Sequence, residues 1–388
     1  MRIGIYGGTF SPVHVGHVEG AKYARERLEL DTILMIPTSI SPHKELPPGT
    51  PTPQQRLTML QLALQGEEGI QVSDLELVRG GVSYTWQTLT ALRQQYPRDD
   101  FFLIMGDDMF LSIDTWKEPH IIYQEATLAV LCRGGDWEKA KEKAAAMTAQ
   151  GVRVQLLENP VTEISSTQLR RLLAFRCAED YLPEGVADYI RKCGLYCRDY
   201  KNLSLAELET AVIGLLNPNR VKHTLGCRDT AVELARLWGA DETDAARAGL
   251  LHDVTKALDG RLQLTLCSRY GIMLDTFSGN NPKTLHALTG SLVAQRIFGE
   301  NKQVVDAIAS HTTGKPGMNT LEKIIYVADY MEPCRDFPGV DRLRHLAHTD
   351  LNAALKLGLE MTLEVLKSQG REISPESNRA LEFINSNP

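Results

Sequence analysis

Gly7-Gly8-Thr9-Phe10-Ser11-Pro12-Val13-His14-Val15-Gly16-His17 follows a short isoleucine-rich run, Arg2–Tyr6, and leads into a segment of helical periodicity, Gly16–Leu30. A strand, a glycine turn and a helix start together form an anion site. Glycines let the backbone approach a phosphate closely, and the first N–H groups of a helix have no partner of their own. The run has neither the G-x-G-x-x-G spacing of a dinucleotide fingerprint nor the Lys-Ser/Thr ending of a Walker loop. His14 and His17 set it apart from a plain glycine turn, because the loop end and the helix start can present both imidazoles to one phosphate chain. Zinc ligation and capping of the turn are the other uses of such a pair; no Cys, Asp or third His stands nearby in sequence to complete a zinc site.

Outward from this stretch, Thr32–Pro37, Ile70–Leu77, Phe101–Met105, Thr127–Cys132 and Val152–Leu157 also read as strands. They alternate with helical patterns at Pro53–Gln65, Thr85–Gln95 and Trp137–Ala149. That rhythm needs crossover connections and predicts a Rossmann-like parallel sheet of the α/β class. Ser41–Pro53 is a proline-rich loop of the length that covers ligands. Beyond about residue 197 the strand signals stop, and Leu205–Leu216, Arg220–Trp238, Thr243–Leu251, Pro282–Phe298, Lys302–Ser310, Thr320–Met331 and Asp350–Ser368 read as helices. The expectation is therefore two domains, 1–197 α/β and 198–388 all-α.

Composition agrees with two ordinary cores: 388 residues, 43% hydrophobic and 23% charged, place the chain among globular proteins. The net charge of −7 argues against nucleic acid as a partner, since that grip needs a surplus of Lys and Arg. Anionic ligands must be held locally. No apolar stretch approaches membrane-spanning length, and Met1-Arg2 runs straight into a strand with no export signal, so the expectation is a cytoplasmic protein away from membranes. Seven scattered cysteines make no disulfide framework. Self-association is left open.

Two further constellations carry chemistry. Ile164-Ser165-Ser166-Thr167-Gln168-Leu169-Arg170-Arg171 places hydroxyls at a helix start and an arginine one turn in, a second anion site of the same kind; taken alone it equally fits an ordinary N-cap with a solvated arginine. In the second half, His223, His252-Asp253, His286, His311 and Asp329 fall on five successive helical segments, spacing suited to side chains that converge inside a bundle. Asp253 follows an apolar helical run, where a carboxylate is costly to bury without a cation. Mixed imidazole and carboxylate ligands suit iron, manganese or zinc, and their number exceeds what one catalytic ion needs, which predicts a two-metal centre.

Gly-Gly-Thr-Phe-x-Pro-x-His-x-Gly-His, Pro42-His43-Lys44, Gly106-x-Asp108, Trp116 and Ile-Ser-Ser-Thr-x-x-Arg occur in this order over residues 1 to 196, and with them the first half resembles bacterial nicotinate-nucleotide adenylyltransferases. The resemblance implies adenylyl transfer from ATP, with Mg²⁺, to nicotinate mononucleotide, giving the deamidated dinucleotide and pyrophosphate without a covalent enzyme intermediate. It implies that His14, His17, Lys44 and Arg170 neutralise phosphate charge, and that Gly7, Gly8, Thr9, Phe10, Ser165, Ser166 and Thr167 join His14, His17 and Arg170 around ATP. Lys44, Thr85, Asp108 and Trp116 would hold the mononucleotide, Thr85 and Trp116 near the ring and Asp108 near the ribose. Ser11 departs from the acidic residue usual there, which touches a local turn contact. Phosphopantetheine adenylyltransferase, the neighbouring family, normally has Thr in place of His14.

The order His…His-Asp…Asp is that of HD-domain phosphohydrolases. With His252-Asp253-x-x-Lys256, His311-Thr312-Thr313-Gly314 and Ala328-Asp329-Tyr330-x-Glu332-Pro333-x-Arg335, the second half resembles the HD-type symmetrical diadenosine tetraphosphatases. The resemblance implies a di-iron centre held by His223, His252, Asp253, His286, His311 and Asp329, bridged by Asp253 and a water or hydroxide, that cleaves diadenosine tetraphosphate into two ADP. Lys256 and Arg335 would take the developing charge, and Thr312, Thr313 and Gly314 would lie against adenine or ribose. A nucleotide sensor that regulates the first half, or hydrolysis of another nucleotide such as guanosine tetraphosphate, is the alternative.

Overall fold

The structure, a computed structural model, describes residues 1–42, 47, 49–132, 137–158, 164–196 and 198–387. It divides into two units, Met1–Cys197 and Arg198–Pro388. In the first, β1 (Arg2–Gly8), β2 (Thr32–Pro37), β3 (Ile70–Val72), β4 (Asp100–Gly106), β5 (Ala126–Cys132) and β6 (Val154–Glu158) form one sheet, ordered β3-β2-β1-β4-β5-β6. Every neighbouring pair is parallel. The parallel sheet follows from the alternation of strand and helix, because consecutive parallel strands can be joined only by crossovers.

Both faces are covered, so successive strand residues enter different cores. Along β4, Phe101, Leu103 and Met105 join one apolar cluster while Phe102 and Ile104 join the other. Each fully buried side chain of this size contributes roughly 1.5–3 kcal/mol relative to exposure. Gly4 lets β1 lie close to its neighbours: a Cβ there would stand 2.8 Å from side-chain carbons of Ile33 and Leu30. The chain builds outward from β1 to β3 and then returns to β4 on the other side of β1. That reversal opens a crevice at the carboxyl ends of β1 and β4, where α/β sheets bind ligands.

Among the described residues the second unit is helical. Its longer helices are Leu205–Ile213, Val221–Trp238, Glu242–Leu251, Gly260–Arg269, Leu285–Val293, Lys302–Ser310, Thr320–Met331, Val340–Thr349, Leu351–Ser368 and Pro375–Ser386. Side-chain caps fix several starts. Asp241 accepts from Asp244 N at 2.8 Å, Asn301 from Val304 N at 3.1 Å and Asn319 from Glu322 N at 3.0 Å, each worth about 1 kcal/mol. Gly249 brings two helices into near contact; a Cβ there would lie 2.7 Å from Arg228 Cα.

Two segments differ from the sequence reading. The expected strand Ile70–Leu77 stops at Val72 and Leu75–Arg79 turns into a short helix; β3 pairs on one side only, so three residues complete its ladder. The expected helix Pro282–Phe298 has three parts, a 3₁₀ turn over Pro282–Thr284, a helix over Leu285–Val293 and a π turn over Ala294–Phe298. The helices Gly260–Arg269, Val340–Thr349 and Pro375–Ser386 were not anticipated, although Asp259 and Ser374 cap two of them.

Candidate active sites

The crevice of the first unit is a cleft of about 310 Å³, the lower end of the range for ligand pockets. Gly7, Gly8, Thr9 and Phe10 line it from the end of β1, and His14 and His17 from the start of the helix Val15–Arg27. Ser165, Ser166, Thr167 and Arg170 line it from the helix Ser166–Ala174. Thr85, Asp108 and Trp116 face the same space. Residues far apart in sequence thus meet where the sheet order reverses. A Cβ at Gly7 would meet nothing within 4 Å, so the glycine leaves the strand end open to a ligand. Lys44 lies outside the described residues.

The imidazoles of His14 and His17 stack, with centroids 3.6 Å apart. His14 N donates to His17 Nδ1 at 3.3 Å, so the pair also closes the helix start, one of the roles weighed for it from sequence. Arg170 Nη1 donates to Ser11 O at 2.9 Å and Nη2 to Thr167 Oγ1 at 3.0 Å. Ser166 Oγ donates to Pro12 O at 3.3 Å. The two anion-binding elements are therefore laced to one another. Ser11, the departure from the family pattern, pairs its hydroxyl with Tyr196 Oη at 2.9 Å.

One buried cation beneath this cleft was not singled out in the sequence. Arg56 is fully buried. Its Nη1 donates to Thr9 O at 2.7 Å, and its Nη2 to Thr38 O at 2.6 Å and Ser39 O at 3.2 Å. It ties the phosphate loop to the segment after β2. Burial lowers its pKa, and among the described residues no carboxylate pairs with it. The helix pattern Pro53–Gln65 marked Arg56 as helical, but a charged residue on an amphipathic helix reads as solvated until its carbonyl partners are known.

In the second unit the six ligand candidates converge as two triads, His223, His252 and Asp329 in one and Asp253, His286 and His311 in the other. His223 Nε2 lies 3.3 Å from His252 Nε2 and 3.1 Å from Asp329 Oδ1. Asp253 Oδ1 lies 3.3 Å from His286 Nε2 and 3.8 Å from His311 Nε2. Its Oδ2 faces His252 Nε2 at 3.5 Å and His223 Nε2 at 3.7 Å. The Asp253 carboxylate, 1% exposed, therefore spans the two triads.

The opposite ring nitrogens are anchored. Nδ1 of His252 meets Gly249 O at 2.7 Å, that of His286 meets Lys283 O at 2.9 Å, and that of His311 meets Ile308 O at 2.7 Å. His223 Nδ1 meets Glu332 Oε1 at 3.0 Å. Such partners set each ring so that Nε2 is the ligating atom. Burial holds His252 and His286 well below the ordinary imidazole pKa and His311 below it, favouring the neutral form that binds metal. Burial alone would raise Asp329; the hydrogen bond from His223 and the nearby Arg335 guanidinium outweigh it and hold the carboxyl well below its usual range. A buried carboxylate shared by two anchored histidine sets is a donor arrangement that fits a pair of divalent cations.

Cations ring this centre. Burial pushes Lys256 down to about 8, and its Nζ stands 2.9 Å from His286 Nε2. Arg335 Nη2 donates to Asp329 Oδ1 at 2.8 Å, and Arg220 donates to Asp253 Oδ2. Thr312 Oγ1 lies 3.2 Å from the Nε2 atoms of both His286 and His311. Thr312 and Thr313 line an adjoining cleft. Gly314 instead turns the chain at φ +67°, with its N–H donating to Ser310 O at 2.9 Å.

Arg220 and Glu332 escaped the sequence reading as site residues. Each stands three positions from a ligand candidate, Arg220 before His223 and Glu332 after Asp329, a helical spacing that puts them on the same side. Gly226 makes room for Glu332: a Cβ there would lie 2.6 Å from Glu332 Oε2.

Comparisons with known proteins divide at the same place as the fold. The cytidylyltransferase-like family model matches residues 5–172 and the HD domain model matches residues 220–334. A probable nicotinate-nucleotide adenylyltransferase of Neisseria meningitidis serogroup B is 35% identical over 199 residues, covering 50% of this chain and 98% of the relative. The symmetrical bis(5'-nucleosyl)-tetraphosphatase of Bacillus subtilis is 40% identical over 163 residues, covering 42% of this chain and 87% of the relative. Among solved structures, a predicted HD superfamily hydrolase involved in NAD metabolism from Clostridium acetobutylicum is 37% identical with a TM-score of 0.47, covering 48% of this chain and 99% of that one. An HD domain implies a divalent metal. No described helix is long and apolar enough to cross a membrane.

Proposed function

The first half of this chain belongs to the nicotinate-nucleotide adenylyltransferase family and the second half to the HD-domain family, and from that membership we propose a bifunctional enzyme that makes deamido-NAD and hydrolyses diadenosine tetraphosphate. What supports the reading is that His14, His17 and Arg170 gather around the first cleft and six histidine and aspartate side chains gather as two triads in the second unit.

In the first reaction a phosphate oxygen of nicotinate mononucleotide attacks the α-phosphorus of ATP, which enters as its magnesium complex. The bond from the α-phosphorus to the bridging oxygen breaks, and pyrophosphate leaves with the electron pair. Positioning and charge neutralisation suffice for such a transfer. His14, His17 and Arg170 meet the phosphates from two laced elements, with Gly7 leaving the backbone open to them. Trp116 and Thr85 take the nicotinate ring, Asp108 the ribose, and Lys44 the phosphates.

In the second reaction water adds to a central phosphorus of diadenosine tetraphosphate and the bridging oxygen leaves, giving two ADP. Bound divalent cations, iron by family resemblance, supply a water of lowered pKa and polarise the phosphoryl group. The chain's own residues hold the neutral imidazoles in register, span the two triads through Asp253, and bring Lys256 and Arg335 to the charge that develops.

The test is product chromatography with the purified, metal-loaded chain. Deamido-NAD and pyrophosphate from ATP and nicotinate mononucleotide, together with ADP as the only product from diadenosine tetraphosphate, is the expected pair of results. AMP plus ATP from the tetraphosphate, or no turnover with metal present, would overturn the hydrolase assignment. Preference for nicotinamide mononucleotide would overturn the nicotinate assignment.

A further inference from the structure

Arg56 lies in the first turn of the helix Pro53–Ala63, whose start is closed by a reciprocal pair. Gln55 N donates to Thr52 Oγ1 at 3.2 Å, and Thr52 N donates to Gln55 Oε1 at 2.9 Å. That cap fixes where the arginine stem leaves the helix, and the stem carries its guanidinium to the ends of β1 and β2. Sheet pairing stops there. Gly8 is the last residue of β1 to pair, opposite Pro37, and Thr38 N donates to Gly8 O at 2.9 Å. Beyond that point the next carbonyls, Thr9 O on one side and Thr38 O and Ser39 O on the other, converge on the guanidinium. Oxygens cannot bond one another, so a donor must join them. Nη1 takes Thr9, and Nη2 takes Thr38 and Ser39. The two nitrogens lie in one rigid plane, so the fork sets the distance between the two segments.

Each segment leads to a different side of the cleft. Thr9 opens the phosphate loop, and Phe10 after it has φ +47°, a conformation that persists only where the surroundings hold it. Arg170 and Ser166 hold the loop farther on, at Ser11 O and Pro12 O; Arg56 holds it at Thr9, just before the strained residue. The other segment runs to the wall of the nicotinate ring. Ser39 N donates to Ser83 Oγ at 2.9 Å and Ser83 N to Ile40 O at 2.9 Å, and Thr85 follows close behind, facing the cleft. A continuous run of bonds thus passes from the phosphate loop to the Thr85 wall, with Arg56 as the link between its two halves. Arg56 is fully buried and is not among the residues that line the cleft.

We propose that Arg56 is a positioning residue for adenylyl transfer: it acts through Thr9 and Ser39 to set the gap between the phosphate loop and the mononucleotide wall, and touches neither substrate. This rests on the adenylyltransferase reading of the first unit. The ATP phosphates rest at one end of the run of bonds and the nicotinate ring at the other. In-line attack needs the reacting atoms about 3–3.5 Å apart, and a displacement of about 1 Å costs about 10²-fold. A link that fixes the separation of the two sides therefore acts on the step that needs both substrates and leaves the binding of each one alone unaltered. Lysine brings a point charge in place of the planar fork, and glutamine brings a single amide nitrogen.

The test compares Arg56→Lys and Arg56→Gln with wild type in the full-length chain. Steady-state transfer is measured with ATP, magnesium and nicotinate mononucleotide, binding of each substrate alone by equilibrium dialysis, and the folded fraction by thermal melting. The expected result is a kcat per folded molecule lowered roughly 10²-fold, with KM and Kd for both substrates within about threefold of wild type. A merely structural arginine would instead lower the folded fraction and leave the kcat of folded molecules unchanged. Wild-type kcat in the folded fraction, or a loss carried entirely by KM, would overturn the proposal. If Arg56→Lys does not fold at the assay temperature, Arg56→Gln decides by the same split. A wild-type chain that makes no dinucleotide from ATP and either mononucleotide would remove the adenylyltransferase reading and the proposal with it; an active wild type with unaltered variants would remove the proposal alone.

Discussion

Asp253 Oδ1 lies 3.3 Å from His286 Nε2, while the other oxygen of the same carboxylate is turned to His223 and His252. One residue is thus shared by both triads. Asp253→Ala should lower the metal content of the chain and abolish ADP release from diadenosine tetraphosphate, with adenylyl transfer unchanged. Metal analysis beside product chromatography checks this; a variant that keeps both ions would contradict the shared role.

Glu332 acts through His223, whose Nδ1 it meets at 3.0 Å. Removing such an outer partner typically costs about 10- to 100-fold in metal affinity or activity. Glu332→Gln should fall in that range in a chelator titration, and Glu332→Ala should fall further. Equal loss of adenylyl transfer would show a general defect instead.

At the first cleft, charge stabilisation is the expected source of rate. His17→Ala and Arg170→Ala should each reduce adenylyl transfer by about 10²–10³-fold, and hydrolysis should not change. Arg170 also holds Ser11 O, so thermal melting of the first unit must be followed alongside; an intact melt with lost transfer supports the assignment.

Arg56→Met leaves the carbonyls of Thr9, Thr38 and Ser39 without their buried donor. The expected loss of stability is about 3 kcal/mol. Arg56→Lys should recover part of it. A melting temperature within a degree or so of wild type for Arg56→Met would mean that water replaces the guanidinium at little cost.

The buried imidazoles predict the sign of the acid response. His252, His286 and His311 are depressed below 6.5 in the folded chain, so the unfolded chain takes up protons first and stability falls as pH drops below about 6.5. Asp329, held below 3.8, adds to the loss at still lower pH. The second unit of chelator-treated chain should melt at a lower temperature at about pH 5 than at about pH 7.5. Calorimetry showing the reverse would mean that the histidines are charged when folded.

The fold class was legible because its signal is local. Alternating strand and helix patterns require crossovers, and crossovers require parallel strands. The three-residue extent of β3 was not legible, since an apolar run does not say on how many sides it will be paired. The π turn at Ala294–Phe298 has no periodic signature either.

The two clefts divide in the same way. Gly7-Gly8 with His14 and His17, and the His-Asp order of the second half, made phosphate and metal chemistry the expectation, with turn capping and zinc as the other uses of the first pair, because the spacing places several chemistry-bearing side chains where they can converge. Arg56, Arg220, Glu332 and Lys283 did not announce themselves. A lone charged residue on a helix is normally solvated, and its role depends on which distant carbonyl, carboxylate or imidazole it meets. Sequence by itself determined which chemical groups the chain carries and the periodicity that folds them into a sheet and a bundle. Asp253 was expected as a bridge from the family resemblance; only the tertiary structure decided which imidazoles each of its oxygens faces and that Arg56 lies under the phosphate loop, since such pairings join residues remote in the chain and are fixed by packing that no local pattern records.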